Sequence, residues 1–396
     1  MTNRSDLYIL VINCGSSSLK FSLFESTGFE IGISGGISGI GGNSCQFKIS
    51  NNQGQGIFNQ QGTYNNMKDA AGAVIRWFKG QSYGIIAIGH RLVQGGPDHR
   101  EPELITDNLL MRLEEFIYLA PNHLPDELGT IKAFVSAFPK IPQAASFDTA
   151  FHKDMPSFIK HYPLPEIYRS KGLIKYGFHG LSYAYILQKL LKEDSDTINK
   201  KIIIAHLGNG ASMAAIQNGK CLDTTMGVSP IGGLVMSTRS GDLDPGVILF
   251  LLKQYRLNVD ELDELLSKKS GMTAIAGTGN MEELLAKEAT DHKAALAIQV
   301  FCYQAKKQIG ALAAALGGLD LLVFTGGIGA NSPLIRERIC RDMNFLGIEL
   351  NQQANLKNEE IISLKTSRVS VRAIPTHEEL MIAQAVRKVL DHVIKN

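Results

Sequence analysis

Two arginines stand in settings suited to anion chemistry. Arg91 follows Gly89-His90 and precedes Gly95-Gly96, and Arg239 lies inside TRSGDLDPG (238–246). Nearby glycines let the backbone approach a ligand closely. A guanidinium grips a carboxylate or phosphoryl oxygens through paired hydrogen bonds. Most arginines are solvated surface groups, so neither decides anything alone. Two Gly-rich turns add a second kind of anion site. ILVINCGSSSLKFSLF (9–24) and IIIAHLGNGASMAAIQ (202–217) each join two apolar runs through such a turn. Both read as β-hairpins whose turns present backbone N–H groups to phosphates. Gly15 and Gly208 are 193 residues apart, a domain's length, so the pair reads as an internal repeat. No GxxxxGK[ST] stretch occurs, which excludes a P-loop kinase.

The elements that must position these residues are legible as well. Short Ile/Leu/Val-rich runs at 7–12, 85–88, 202–205 and 321–324 predict strands of a largely buried sheet. Helix-like segments fill the intervals, at 67–79, 107–119, 182–192, 247–266 and 291–316. Alternating strands and helices predict an α/β architecture. At 396 residues the chain should hold two or three domains. Nine of the thirteen prolines fall between Pro97 and Pro165, predicting a loop-rich region and a domain junction near residue 150.

Composition removes several function classes. Forty Lys and Arg against 38 Asp and Glu give a net charge of +2, which argues against nucleic acid as the main partner. Five cysteines (Cys14, Cys45, Cys221, Cys302 and Cys340) form no CxxC pair, so neither a disulfide framework nor a zinc site is indicated. The apolar run before Asn13 is too short for a signal peptide, and the stretch from Ile309 is broken by glycines and Asp320. A soluble, cytoplasmic protein without membrane contact is expected. Glycine is enriched, at 39 residues, many of them in the 15–18, 89–96, 208–210, 232–246 and 326–329 turns.

INCGSSSLKF, GHRLVQGG, FDTAFH, YGFHG, HLGNGAS, TRSGDLDPG, FTGGIG and PTHEELMIA occur in this order between Asn13 and Ala383. In these motifs the chain resembles the acetokinase family of the acetate and sugar kinase/Hsc70/actin superfamily. The resemblance implies two actin-like (ribonuclease H-like) α/β domains of duplicated topology facing across a cleft. The first would span 1–149 plus 384–396, and the second 150–383 with the nucleotide site and a homodimer interface. It also implies reversible transfer of the ATP γ-phosphoryl group to acetate, giving acetyl phosphate and ADP with Mg²⁺, or Mn²⁺ in its place.

By the same resemblance, Arg91 would hold acetate, and Arg239 and His179 would stabilise the transferring phosphoryl group, with His123 nearby. Val93, Asn122, Phe178 and Pro230 would form the pocket for the acetate methyl. Lys20 would neutralise phosphate charge, and His206, Leu207, Gly208, Asn209 and Gly210 would cradle the β- and γ-phosphates. Gly326, Gly327, Ile328, Gly329 and Ala330 match the adenosine loop, and Asn280, Met281 and Glu282 the nucleoside contact. Asn13 and Glu378 would serve the metal although they are 365 residues apart, so the last segment must return to the first domain. Asp148 matches the catalytic aspartate. Acetate, with a carboxylic pKa of about 4.3, is ionised at neutral pH, so Asp148 is expected to orient an arginine or a metal-bound water and not to take a proton.

The chain departs from the family pattern at Asn122, Asn280, Glu282 and Ala330, so a broader nucleotide preference and an altered pocket rim are expected. Comparable rates with ATP, GTP and ITP would accord with the first. A propionate or other short-chain acyl kinase is the nearest alternative. A sugar kinase fits less well, because two arginines at the acceptor suit an anion. A non-catalytic Hsc70/actin-type nucleotide-binding module would need none of Arg91, Arg239, His179 and Asp148.

Overall fold

The computed structural model describes residues 7–15, 17–42 and 44–395. Ser16 of the first Gly/Ser turn and the extreme ends of the chain lie outside these. The chain divides into two compact units, one running to Phe151 and resuming at His377, the other His152–Thr376. The return thus begins ahead of residue 384, because the helix Glu378–Lys395 packs on the first unit's sheet from its start.

The first unit holds β1 (Leu7–Cys14), β2 (Ser18–Glu25), β3 (Ile31–Ser38), β4 (Cys45–Asn51), β5 (Gly56–Gly62), β6 (Gly84–Leu92), β7 (Glu103–Leu104) and β8 (Gln143–Phe147). They form one sheet in the order β5-β4-β3-β2-β1-β6-β8-β7. The central strands are apolar on both faces, with Ile9, Leu10, Val11 and Ile12 all at most 1% exposed, as a sheet covered on both sides requires. The helices Met67–Lys79 and Leu124–Ala137 pack against each other beside it, and Glu378–Lys395 packs on β1, β6 and β8. Gly89 permits that last contact. A Cβ there would come within 2.6 Å of Val386 and 2.7 Å of Ile382.

The second unit carries β9 (Ile202–Leu207), β10 (Ala211–Gln217), β11 (Lys220–Thr224), β12 (Leu321–Thr325) and β13 (Ser370–Ala373), in the order β11-β10-β9-β12-β13. This repeats the first sheet's central β3-β2-β1-β6-β8. In each, a strand pairs antiparallel with its hairpin partner on one side and parallel with the next strand on the other. The duplication expected from the two Gly-rich hairpins and the actin-like α/β topology implied by the resemblance are therefore present, with Gly15 and Gly208 both at the first hairpin turn.

The segment 247–266 is not one helix. It divides into Pro245–Gln254 and Val259–Lys268, because Arg256 adopts φ 54° and Asn258 starts a new helix with a reciprocal capping box to Glu261. Among the described residues, no helix is long and apolar enough to cross a membrane.

Candidate active site

In the first unit, three predicted residues meet at the carboxyl ends of adjacent parallel strands. Asn13 lies near the end of β1, Arg91 near the end of β6, and Asp148 just past β8. Strand ends of this kind are where open α/β sheets place ligands. Arg91 Nη2 donates to Asp148 Oδ2 at 2.6 Å and Nε to Oδ1 at 3.4 Å, a two-pronged grip on a carboxylate only 1% exposed. Arg91 Nη1 donates to Asn13 Oδ1 at 3.1 Å, and Asn13 Nδ2 donates to Glu379 Oε1 at 3.2 Å. Lys20 lies opposite Asn13 across the β1–β2 hairpin.

Around Arg91 the acidic groups outnumber the cations. Arg91 is already matched by Asp148, and Glu127, Glu378 and Glu379 lie around the same group, with Lys20 as the other nearby cation. Burial alone would lower the Arg91 guanidinium, but Asp148 and Glu378 hold it above its ordinary value. Burial pushes Glu378 up to about 7, with Arg91 opposing the rise and Asp148 and Glu379 adding to it. Acids crowded beyond the available cations make a place for a divalent cation in charge. Asn13 and Glu378 are oxygen donors of the right kind, although Asn13 Oδ1 is shared with Arg91. Among the described residues no group of three or more His, Cys, Asp and Glu is arranged as a metal cage.

In the second unit, the helix Gly180–Glu193 begins directly after His179, which adopts φ 59°. Its Nδ1 pairs with Ser212 Oγ at 2.7 Å, and Ser212 Oγ also bonds Tyr183 Oη at 2.5 Å. The His179 ring stacks on His206 at 4.3 Å between centroids. A Cβ at Gly210 would lie 3.2 Å from His179 Nε2 and 3.7 Å from Arg239 Nη1, so these two side chains converge on the hairpin turn. Arg239 Nη1 donates to the Pro230 carbonyl at 3.1 Å, tying that predicted pocket residue to it. Phe178 is 1% exposed, and its carbonyl pairs with His152 Nε2 at 3.0 Å.

The two predicted nucleotide segments lie side by side. β9 pairs parallel with β12, with His206 opposite Thr325. Gly326, at φ 77°, presses its Cα against the β9 backbone, where a Cβ would meet the Leu207 carbonyl at 2.7 Å. No side chain fits at that position. The Gly208 N–H is not offered outward, since it donates to Gly210 O at 3.0 Å, and Gly15 N–H likewise donates to Ser18 O at 2.8 Å. Leu207 and Ala330 are buried, so only their backbones are available to a ligand.

Of the nucleoside trio, Asn280 caps the helix Met281–Lys287 through Glu282 N–H at 2.9 Å, and Met281 is 5% exposed. The Met281 side chain belongs to the core. Asn280 and Glu282 remain at the surface.

Three positions outside the predicted site residues carry weight. Glu127 is 2% exposed and accepts the Val93 N–H with both carboxylate oxygens, at 3.1 and 3.3 Å. Ser212 stands between His179 and Tyr183. Arg336, fully buried, holds the predicted adenosine-loop helix by donating Nη1 to Gly329 O and Ala330 O at 3.0 and 2.9 Å. Its remaining donors reach Asn355 and Asn358, and burial lowers it to about 10, so it stays charged at neutral pH. Tyr183 and Glu127 each follow a predicted histidine by four residues, one helical turn, and that spacing was the available signal.

The model of the acetokinase family matches residues 8–384, nearly the whole chain. The chain belongs to the acetokinase family. An acetate kinase of Bacteroides thetaiotaomicron is 41% identical, with 96% of this chain and 99% of that protein aligned. The crystal structure of Porphyromonas gingivalis acetate kinase superposes with a TM-score of 0.86 at 38% identity, covering 97% of this chain and 99% of that one. A propionate kinase from Francisella tularensis gives a TM-score of 0.91 at 35% identity, covering 96% and 99%. Membership of the acetokinase family makes the chain a kinase.

Proposed function

We propose that this chain is an acetate kinase that moves the γ-phosphoryl group of ATP to acetate and back. An acetate oxygen bonds to phosphorus as the bond to the bridging β-γ oxygen breaks, and ADP leaves. The substrate arrives ionised, so no proton has to move. The observation that carries the reading is the Arg91–Asp148 pair at the strand ends. A proton-accepting aspartate would be kept clear for a hydroxyl, but Asp148 is bound to the arginine on both oxygens. Arg91 would hold the acetate carboxylate, with Asp148 fixing its plane. Val93 and Asn122 would flank the methyl group.

His179 and Arg239 would donate to the phosphoryl oxygens, where catalysis of this transfer is mostly positioning and charge stabilisation. The backbones of 206–210 and 326–330 would lie along the nucleotide, with Lys20 balancing phosphate charge. Mg²⁺, when bound, supplies charge neutralisation at the phosphates, and Asn13 and Glu378 would hold it. A hydroxamate assay with acetate, ATP and Mg²⁺ tests the reading. Acetyl phosphate should form, whereas ATP binding without it would return the chain to a non-catalytic nucleotide-binding module.

The likeness to a propionate kinase, with the polar Asn122 at the pocket rim, favours one second reading, a preference for propionate. One methylene in such a pocket is worth about 1–3 kcal/mol. Acetate is expected to show the higher kcat/KM in side-by-side assays, and a propionate value several-fold above it would reverse the assignment.

A homodimer is part of the proposal. The helix Pro245–Gln254 reads PGVILFLLKQ yet has no buried residue, with Leu249 53% and Phe250 55% exposed. Apolar surface of this kind marks an interaction site, and a second copy supplies a matching face by symmetry. Phe250→Glu is expected to shift the protein from dimer to monomer in sedimentation analysis. A wild-type monomer, or a variant that stays dimeric, would reject this interface.

A further inference from the structure

Two segments of the proposed acceptor pocket meet at one side chain. His123 precedes the helix Leu124–Ala137, with Asn122 before it. Arg91 and Val93 belong to β6 and its continuation, whose pairing with β8 ends at Leu92–Phe147. The Val93 N–H therefore lies past the ladder, and the Glu127 carboxylate takes it, at 3.1 and 3.3 Å. The backbone N–H of the same residue donates to the His123 carbonyl at 3.1 Å. We propose that Glu127 is a positioning residue for the acceptor, locking the Arg91–Val93 segment to the Asn122–His123 corner. The proposal rests on the acetate reading of that pocket.

The choice of an acid for this task is informative. A single backbone amide needs only a neutral acceptor, and burying a charge without full pairing is costly. The groups facing Glu127 are Arg91 on β6, Asp148 beyond β8, Asp126 on its own helix and Cys14 at the end of β1. Burial pushes Glu127 up to about 8, against the pull of Arg91 and the Val93 N–H. Below that value it is neutral and only positions Val93. Above it, its negative charge competes with acetate for Arg91, adding to that of Glu378, which charges at about 7. The acetate KM should therefore rise as pH increases through about 8, by about fivefold.

Glu127→Gln and Glu127→Ala separate the two effects, with KM and kcat measured from pH 6 to 9 and acetate affinity measured by calorimetry without nucleotide. Glutamine keeps an acceptor and stays neutral, so Glu127→Gln should keep the wild-type melting temperature and lose the Glu127 part of the alkaline rise in KM, with only the part due to Glu378 remaining. Glu127→Ala removes the acceptor and should raise KM about tenfold at low pH, with a smaller excess over wild type once Glu127 would be charged, and with a much smaller change in kcat. If Glu127→Gln follows the wild-type pH curve, or if Glu127→Ala binds acetate normally, the role is overturned. Should alanine fail to fold, the glutamine variant decides alone. Absence of acetyl phosphate from the wild type, with acetate binding intact, would instead count against the acetate kinase reading and leave the calorimetric comparison standing.

Discussion

Asp148→Asn should lower kcat/KM for acetate by about 10²–10³-fold while leaving ATP binding near normal. The carboxylate is buried and grips Arg91 at two points, at 2.6 and 3.4 Å. Removing one partner of a buried ion pair leaves the other uncompensated, which typically costs about 3–5 kcal/mol. Glu378 and Glu127 also act on Arg91, so part of the loss should appear as a reoriented guanidinium and only part as unfolding. An Asn amide can still accept one hydrogen bond, but its N–H₂ would face a cation. The guanidinium then leaves the plane in which it can hold acetate and keep Asn13 Oδ1 at 3.1 Å. Steady-state kinetics with acetate varied at saturating ATP, alongside thermal melting, reads both consequences. Near-normal turnover in a folded variant would exclude an orienting role and a proton-accepting role together.

Much of this cluster was legible before any coordinates. The strand runs at 7–12 and 85–88 put Asn13 and Arg91 at or just past strand ends, and the hairpin repeat put Gly15 and Gly208 at equivalent turns. What the sequence concealed is of a different kind. The grip of Glu127 on the Val93 N–H joins positions 34 residues apart, and Arg336 reaches Asn355 and Asn358 further along the chain. No periodicity encodes such pairs, because the hydrogen-bonding need of a buried group is known only after packing has buried it. The local charge was hidden for the same reason. The raised acids Glu127 and Glu378 follow from their burial beside Asp148 and Arg91, which no count of charged residues shows. By contrast, the division of 247–266 into two helices was present as the capping box Asn258-Val259-Asp260-Glu261, overridden by apolar spacing that spans the break.

The second large effect is expected at His179. Its left-handed backbone, φ 59°, places the ring beside the hairpin turn just before a helix begins, and asparagine tolerates that conformation better than alanine. His179→Asn should therefore preserve the backbone and remove the ring. The chain Tyr183–Ser212–His179, at 2.5 and 2.7 Å, sets which ring nitrogen carries the proton. If Tyr183 donates to Ser212 and Ser212 donates to Nδ1, then Nε2 carries the hydrogen, close to Gly210 and Arg239. A transferring phosphoryl group, with charge on its equatorial oxygens, is served by that donor and not by a lone pair. Loss of one such transition-state donor typically costs about 10²–10³ in kcat. His179→Asn should lose that much with the ATP KM changed by less than about threefold. Ser212→Ala, which frees the tautomer but keeps the ring stacked on His206, should lose about tenfold. If His179→Asn raised only KM, or Ser212→Ala left kcat untouched, the proton on Nε2 would not be what the phosphoryl group meets, and the burden of stabilisation would pass to Arg239.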